Sequence, residues 1–430
     1  MRQNILVVFD YAPLTTLRAT IRDHVNAFKK YSPHNIFYLN LAYREKIPWH
    51  VRRMKYDVVI FHTLFFTARW DETGFQRTMR KAQFLKELDA VKVGLPQDEH
   101  FKTGYIHQMI QEFGIQTIFS VGPSSEWPKL YGELANQIQL KSVLTGYLDP
   151  STIKKINAYA RKIRTRTIDI GYRARHVEPS LGRHGRLKPY IAEQFLSRAA
   201  GSKLLMDIST RAEDTIVGNA WYAFLLRCKY TIGVEGGASI LDRDGSIRER
   251  TLKFMEQHPE AGFEEIEANC FPGLDGNLHY VAISPRHLEA CATRTCQVLI
   301  EGEYNGILKP GVHYIELKRD FSNLDEVLKW IEQDHLREEM TERAYRDIVQ
   351  SGLYSYERFV SAVLDEALST APKTRTGLFD RIVSQWNWVV HLIHPYRIRA
   401  VRNIRKQRNK LKQVITNMRK GGKDSCGGTF

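Results

Sequence analysis

The sequence has no two cysteines at CxxC spacing, no GxGxxG or GxxxxGK[ST] loop, and no apolar run near the roughly 20 residues a membrane-spanning helix needs. Each absence removes a class. Its cysteines (Cys228, Cys270, Cys291, Cys296 and Cys426) are odd in number and scattered, so free thiols in a reducing compartment are expected and a zinc site is not. The missing glycine signatures argue against a dinucleotide oxidoreductase and a P-loop enzyme. The first apolar stretch, NILVVF, stops at Asp10 with no small-residue cleavage site after it, so it reads as a strand rather than a signal peptide.

Acidic residues are also scarce, but only at one end. The net charge is +15, from 63 Lys+Arg and 48 Asp+Glu. Residues 373–430 hold 14 basic and 2 acidic residues, a net of +12, which leaves 49 − 46 = +3 for 1–372. A nearly balanced body therefore carries a basic tail.

Within the 430 residues, short apolar runs alternate with helical periodicities. Strands are expected at Asn4–Phe9, Asn35–Leu41, Asp57–Thr63, Val91–Leu95 and Gln116–Val121, and again at Thr167–Ile170, Lys203–Ile208, Tyr230–Val234, Gln297–Ile300 and His313–Leu317. Helical patterns separate them, including Gly218–Cys228, Ser284–Thr293 and Tyr356–Ser369. This alternation implies an α/β fold with parallel sheets covered on both faces. Two Rossmann-like domains facing a cleft are expected, over 1–150 and 151–372, with an insertion or lid at 240–280 and a basic amphipathic helical tail over 373–430.

In such sheets ligands bind beyond the carboxyl ends of the strands, so the post-strand loops are the places to search. The segment Gly171–Lys188 reads GYRARHVEPSLGRHGRLK and carries Arg173, Arg175, Arg183, Arg186 and Lys188. Guanidinium forks near a helix N-terminus suit a diphosphate; a solvated basic loop is the alternative. GVEGGAS at Gly233–Ser239 puts Gly236 and Gly237 where backbone could approach a ligand, or in an ordinary tight turn. SPRHLEA at Ser284–Ala290 starts a helix with Ser284 as N-cap and Pro285 first, with Arg286 and Glu289 on one face. By spacing alone those two could be a surface ion pair. Asp242-Arg243-Asp244 is a DxD, but Gly245 follows and an Asx turn is the simpler account, so no metal is expected.

SPRHLEA followed by an apolar strand and a Glu/Gly loop resembles the nucleotide-sugar half of GT-B glycosyltransferases, in particular the branch with an SPR-x-x-E-A helix, and also the exostosin-type pattern. The resemblance spans roughly residues 165–370; the N-terminal half is similar in architecture only. It implies that Glu289 binds the donor ribose, that Arg286 lies near the diphosphate, and that Arg173 and Lys188 match the basic pair of the first donor-domain loop. It implies a nucleotide-sugar substrate, no required cofactor, and a glycan or lipid-linked acceptor. One departure stands out: Val281 lies eight positions before Glu289, where many retaining members carry a second Glu. The acceptor side would be the N-terminal domain, where QDEH follows a strand. Asp98 or Glu99 is the candidate base, with His62 and Glu235 as further candidates. A nucleotide-sugar 2-epimerase and a non-catalytic membrane or nucleic-acid adaptor are the rival readings.

The tail joins an apolar, tryptophan-containing helical pattern (Phe379, Ile382, Val383, Trp386, Val389, Val390, Leu392, Ile393) to a basic run from Arg397 to Lys412, with a break expected at Pro395 and a disordered tip at Gly421–Phe430. This combination suits an anionic membrane surface. A peripheral enzyme on the cytoplasmic face of the cell membrane is therefore expected; packing against the body is the alternative, and nucleic acid is not expected as partner.

Overall fold

The computed structural model describes residues 2–11, 19–43, 47–163, 165–198, 203–372, 376–393 and 396. The basic run Arg397–Lys412, Pro395, Cys426 and the glycine-rich tip lie outside them.

Two parallel sheets form the frame. The first contains β1 (Asn4–Phe9), β2 (Asn35–Asn40), β3 (Val58–Phe61), β4 (Val91–Gly94), β5 (Thr117–Ser120) and β6 (Gln139–Ser142), in the order β2-β1-β3-β4-β5-β6. The second contains β7 (Ile168–Arg173), β8 (Met206–Ser209), β9 (Cys228–Gly233), β12 (Cys296–Ile300) and β13 (Ile315–Leu317), in the order β13-β12-β9-β7-β8. A separate antiparallel pair joins β10 (Gly236–Ala238) to β11 (Tyr280–Ala282). The central strands β1 and β3 are buried at every residue because helices cover both faces. β6, QLKS, is an exposed edge strand with one apolar residue, which is why its sequence gives no strand signal.

Three features depart from the sequence expectation. The basic segment Gly171–Lys188, expected as a post-strand loop, is helical from Gly182 on, in a helix that runs to Arg198 and carries Pro189 inside it. The closing helix Tyr356–Ser369 packs its Tyr356, Phe359, Val360, Val363 and Leu364 into the first sheet's core beside Ile5, Val7 and Ile60. The division at 150 and 372 is thus not contiguous in space: the chain returns to its first domain, because that apolar face has its complement there. Finally, the segment 240–280 is not a loose lid. It contains helices Ser246–Gln257 and Phe263–Cys270 around a small core of its own (Ile240, Ile247, Phe263, Ile266, Phe271).

That segment also joins the two domains. Lys102 N–H donates to Asp242 O (2.6 Å), Asp242 N–H to His100 O (2.8 Å), and Gly104 N–H to Arg243 O (3.0 Å). Leu278 and Tyr280 are buried in the first domain's core. Among the described residues no helix is long and apolar enough to cross a membrane.

Candidate active site

A cavity of about 590 Å³ lies between the domains, beyond the carboxyl ends of β7 and β9. From the second domain it receives Arg173, Arg175, Lys188, Ser284, Arg286 and Glu289. From the first domain it receives Thr20, Trp70, His100 and Phe101. SPRHLEA therefore enters the cleft by its first turn. Helix Pro285–Ala292 has Ser284 as N-cap, and the Ser284 side chain makes no capping bond. Its hydroxyl remains in the cleft wall, next to backbone donors at the positive end of a helix dipole, an arrangement that suits an anion.

Glu289 is 8% exposed, and the Trp221 indole Nε1–H donates to its Oε2 at 2.7 Å. Burial pushes its pKa up to about 7, against the pull of the Trp221 bond and the Arg286 charge. Trp221 and the Tyr222 hydroxyl engage part of the carboxylate, and its remaining lone pairs can accept a ligand's hydroxyls. Arg286 is exposed, lies over the Trp221 ring at 5.1 Å, and donates to Arg173 O.

The other cations divide into two groups. Arg183 pairs with Glu267 (2.5 Å) and Asp275 (3.1 Å), and Arg186 pairs with Glu264 (3.4 Å), so both fasten the inserted segment. Arg173 donates to Asp214 O, Tyr172 O, Asp207 O and Asp207 Oδ1, which fixes its guanidinium as a structural tie at the cavity wall. The N-terminus of helix Gly182–Arg198 is likewise filled from within: Arg183 N–H donates to Asp275 and His184 N–H to Ser239 Oγ. The expected phosphate cradle in this loop is thus occupied by a protein carboxylate. Arg175, Lys188 and Arg286 are further cations of the cavity wall.

Gly236 and Gly237 do not line the cavity; they form β10 and pair with Ala282 and Val281. Their sequence reading as a ligand-approach loop is corrected by this ladder. Asp242 accepts from the backbone N–H groups of Gly245, Ile247 and Arg248, the expected Asx-type geometry. Val281, in the position of the absent carboxylate, is a buried strand residue opposite Gly237.

The candidate bases are also redistributed. Glu235 is buried and accepts the N–H groups of Tyr304 (2.5 Å) and Glu303 (3.1 Å), so it holds the loop after β12 rather than a substrate. Glu99 is fully buried in a cage of hydroxyls: Ser120 (2.5 Å), Tyr131 (2.7 Å) and Tyr280 (2.7 Å). Asp98 is exposed, at φ 52°, and does not line the cavity. His62 is buried against His24 (2.8 Å) and caps a short helix by accepting from Leu64 N–H.

The residue of QDEH that faces the cavity is His100. It is 5% exposed, and both ring nitrogens are buried without a hydrogen-bond partner. Burial lowers its pKa to about 4, so it is a neutral imidazole at physiological pH. The loop that carries it is held from behind: Arg69, wholly buried, donates to the carbonyls of Phe66, Gln97, Asp98 and Phe101. The histidine stands in the quartet, but residue types alone point to its two acids as the base. Trp221, Tyr222 and Trp70, also in the wall, had no motif to reveal them.

No family model matches the chain, and no curated protein matches it. Solved structures do resemble it. The Anabaena protein HepE, in complex with UDP and glucose, has a TM-score of 0.44 and 10% identity over 86% of this chain and 100% of its own. A glycosyltransferase from Rickettsia africae has a TM-score of 0.44 and 9% identity over 86% of this chain and 99% of its own. The GtfA/B complex has a TM-score of 0.38 and 12% identity over 74% of this chain, which spans 59% of that chain's length.

Proposed function

We propose that the protein is a glycosyltransferase that moves a sugar from a nucleotide-sugar donor to a glycan or lipid-linked acceptor. The observation that carries this reading is the meeting, in one inter-domain cavity, of Glu289 and the open first turn of its helix with His100 from the opposite domain. On this reading the donor ribose hydroxyls donate to Glu289, and the diphosphate lies against Ser284, Arg286, Arg175 and Lys188. The acceptor hydroxyl approaches from the first domain. Its oxygen bonds to the anomeric carbon, the bond to the nucleoside diphosphate breaks, and the hydroxyl proton passes to the free imidazole of His100. The cations take up the charge that grows on the leaving diphosphate.

The reading is tested by calorimetric titration of the protein with nucleoside diphosphates and nucleotide sugars. Binding of one nucleotide family that is lost in Glu289→Ala supports it. A folded protein that binds none of them overturns it. Formation of a sugar epimer without acceptor would instead favour an isomerase working from the same pocket.

A further inference from the structure

A helix over 378–393 follows the closing helix and lies along the free edge of the first sheet. There the Asn387 side chain replaces a missing strand: Tyr38 N–H donates to its Oδ1 (2.7 Å), and its Nδ2 donates to Tyr38 O (3.2 Å). Ser384 Oγ donates to Ile36 O (2.9 Å), Asn4 Nδ2 donates to Asp380 Oδ1 (2.9 Å), and Val383 is buried. His391 stacks on Tyr38 at 4.5 Å. One side of the helix is thus fixed to the domain by matched polar groups, which closes an edge that would otherwise pair with another chain.

The opposite side is apolar and uncovered. Phe379 is 62% exposed, Ile382 57%, Trp386 50%, Val389 48% and Ile393 49%, and the spacing of these residues sets them along one stripe. The stripe extends onto the first domain itself. Trp386 packs edge-on against His50 at 4.5 Å, and the neighbouring Trp49, in helix Trp49–Arg53, is 63% exposed. Arg53 is exposed and four residues on from Trp49, hence on its side of that helix. The one carboxylate of the 378–393 helix, Asp380, is engaged with Asn4 and with the Gly377 N–H. Beyond it, residues 397–430 hold 11 Lys+Arg and one acidic residue, a net of 11 − 1 = +10.

We propose that the first domain docks on an anionic lipid bilayer through this composite face, the outer side of the 378–393 helix together with Trp49 and Arg53. Tryptophans and aliphatic groups enter the headgroup boundary while the flanking basic residues meet lipid phosphates. A second copy is disfavoured as occupant because it would bring a like tail charge of +10 to the same face. A nucleic acid would use the basic residues but leaves a tryptophan stripe uncovered. The sequence pattern places the membrane contact in the tail alone; the structure adds the contribution of the first domain.

The test is co-sedimentation of the full chain with phosphatidylcholine vesicles, with and without about a third phosphatidylglycerol, at two salt concentrations. The wild type should sediment with the anionic vesicles, and salt should weaken but not abolish the association. Ile382→Asp and Trp386→Ser should each lower partitioning at least severalfold. Trp49→Ser, and Arg53→Glu by about tenfold, should do so with the tail untouched. Each variant is checked for an unchanged circular-dichroism melt, and Trp49 and Arg53, being exposed, serve as the pair least able to disturb folding. Binding unaffected by Trp49→Ser and Arg53→Glu overturns the composite face in favour of the tail alone. A dimer dispersed by Ile382→Asp, or retention on an oligonucleotide that ignores Ile382→Asp, overturns the lipid assignment. None of these outcomes depends on what the inter-domain cavity binds.

Discussion

The Trp221 indole donates to Glu289 Oε2 at 2.7 Å inside a wall that holds the carboxyl 8% exposed. Burial outweighs that bond and sets the Glu289 pKa at about 7, above its ordinary 4.5. The folded state therefore binds this proton more tightly than the unfolded one. Its contribution to stability is complete below about pH 4.5 and is lost as pH rises through about 7, up to about 3 kcal/mol. Glu289→Gln should remove this loss, so the gap between wild-type and variant unfolding free energies should change in favour of the variant between about pH 5 and 8. Ligand affinity should run the other way. The ionised carboxylate accepts hydroxyls best, so nucleotide binding by the wild type should gain on that by Glu289→Gln across the same range, reaching about tenfold to a hundredfold. Paired urea melts and calorimetric titrations check both signs; equal pH slopes would remove Glu289 from the binding site.

His100 has neither ring nitrogen paired, and burial holds its pKa near 4. It is thus a free base through the physiological range. His100→Gln should lower the turnover of sugar transfer by about a hundredfold to ten thousandfold while leaving the donor KM within a few fold. At saturating donor, where the Glu289 effect on affinity drops out, wild-type turnover should stay level as pH falls toward 5 and then drop as the imidazole protonates. The variant should lack that drop. A His100→Gln enzyme with normal turnover would return the base to Asp98 or to a group outside the described residues.

The sequence made the strands readable because a short buried apolar run has few alternatives: β1 and the helix Tyr356–Ser369 fall at their expected bounds. It did not show that Tyr356–Ser369 belongs to the first domain, since an apolar stripe does not name its partner. SPRHLEA was legible for the same reason that it is chemically useful, a Ser-Pro start fixing where a helix opens. The basic loop misled because charge type does not reveal direction: Arg183 and Arg186 turn to carboxylates 78 to 92 residues away in sequence. In QDEH the residue types suggested an acid as base. Which of four neighbours faces the cleft depends on the Arg69 clamp and on Tyr280, both remote in sequence.

Glu99 tests the joint between the domains. Its carboxyl is reached by Ser120, Tyr131 and, from the inserted segment, Tyr280. Glu99→Ala leaves the protons of three buried hydroxyls without their acceptor and should cost about 2 to 4 kcal/mol. Glu99→Gln retains an acceptor and adds donors that the hydroxyl oxygens accept, so it should cost clearly less. Tyr280→Phe removes the cage's hydroxyl from the inserted segment, with the bond it donates to the Glu99 carboxyl and the one it accepts from Glu99 N–H, and should cost about 1 to 2 kcal/mol. Urea unfolding midpoints order the three. If Glu99→Ala were as stable as wild type, the cage would be incidental to the joint.

The two adjacent glycines of GVEGGAS separate a backbone requirement from a ligand one. Gly237 sits at φ 145°, and a Cβ there would lie 1.9 Å from Tyr280 O. At Gly236 the nearest atom to an added Cβ is Ala282 O, at 3.5 Å, an ordinary contact. Gly237→Ala must therefore part β10 from β11 and move Tyr280, whose hydroxyl reaches Glu99. A loss of about 3 kcal/mol is expected, with new protease cleavage between residues 240 and 280. Gly236→Ala should melt within about 1 kcal/mol of the wild type. Both should keep the nucleotide affinity of whatever fraction remains folded, because neither residue lines the cavity. The contrary result, a stable Gly237→Ala protein with weakened nucleotide binding, would mean that the loop approaches the ligand after all and that the β10–β11 ladder opens to let it do so.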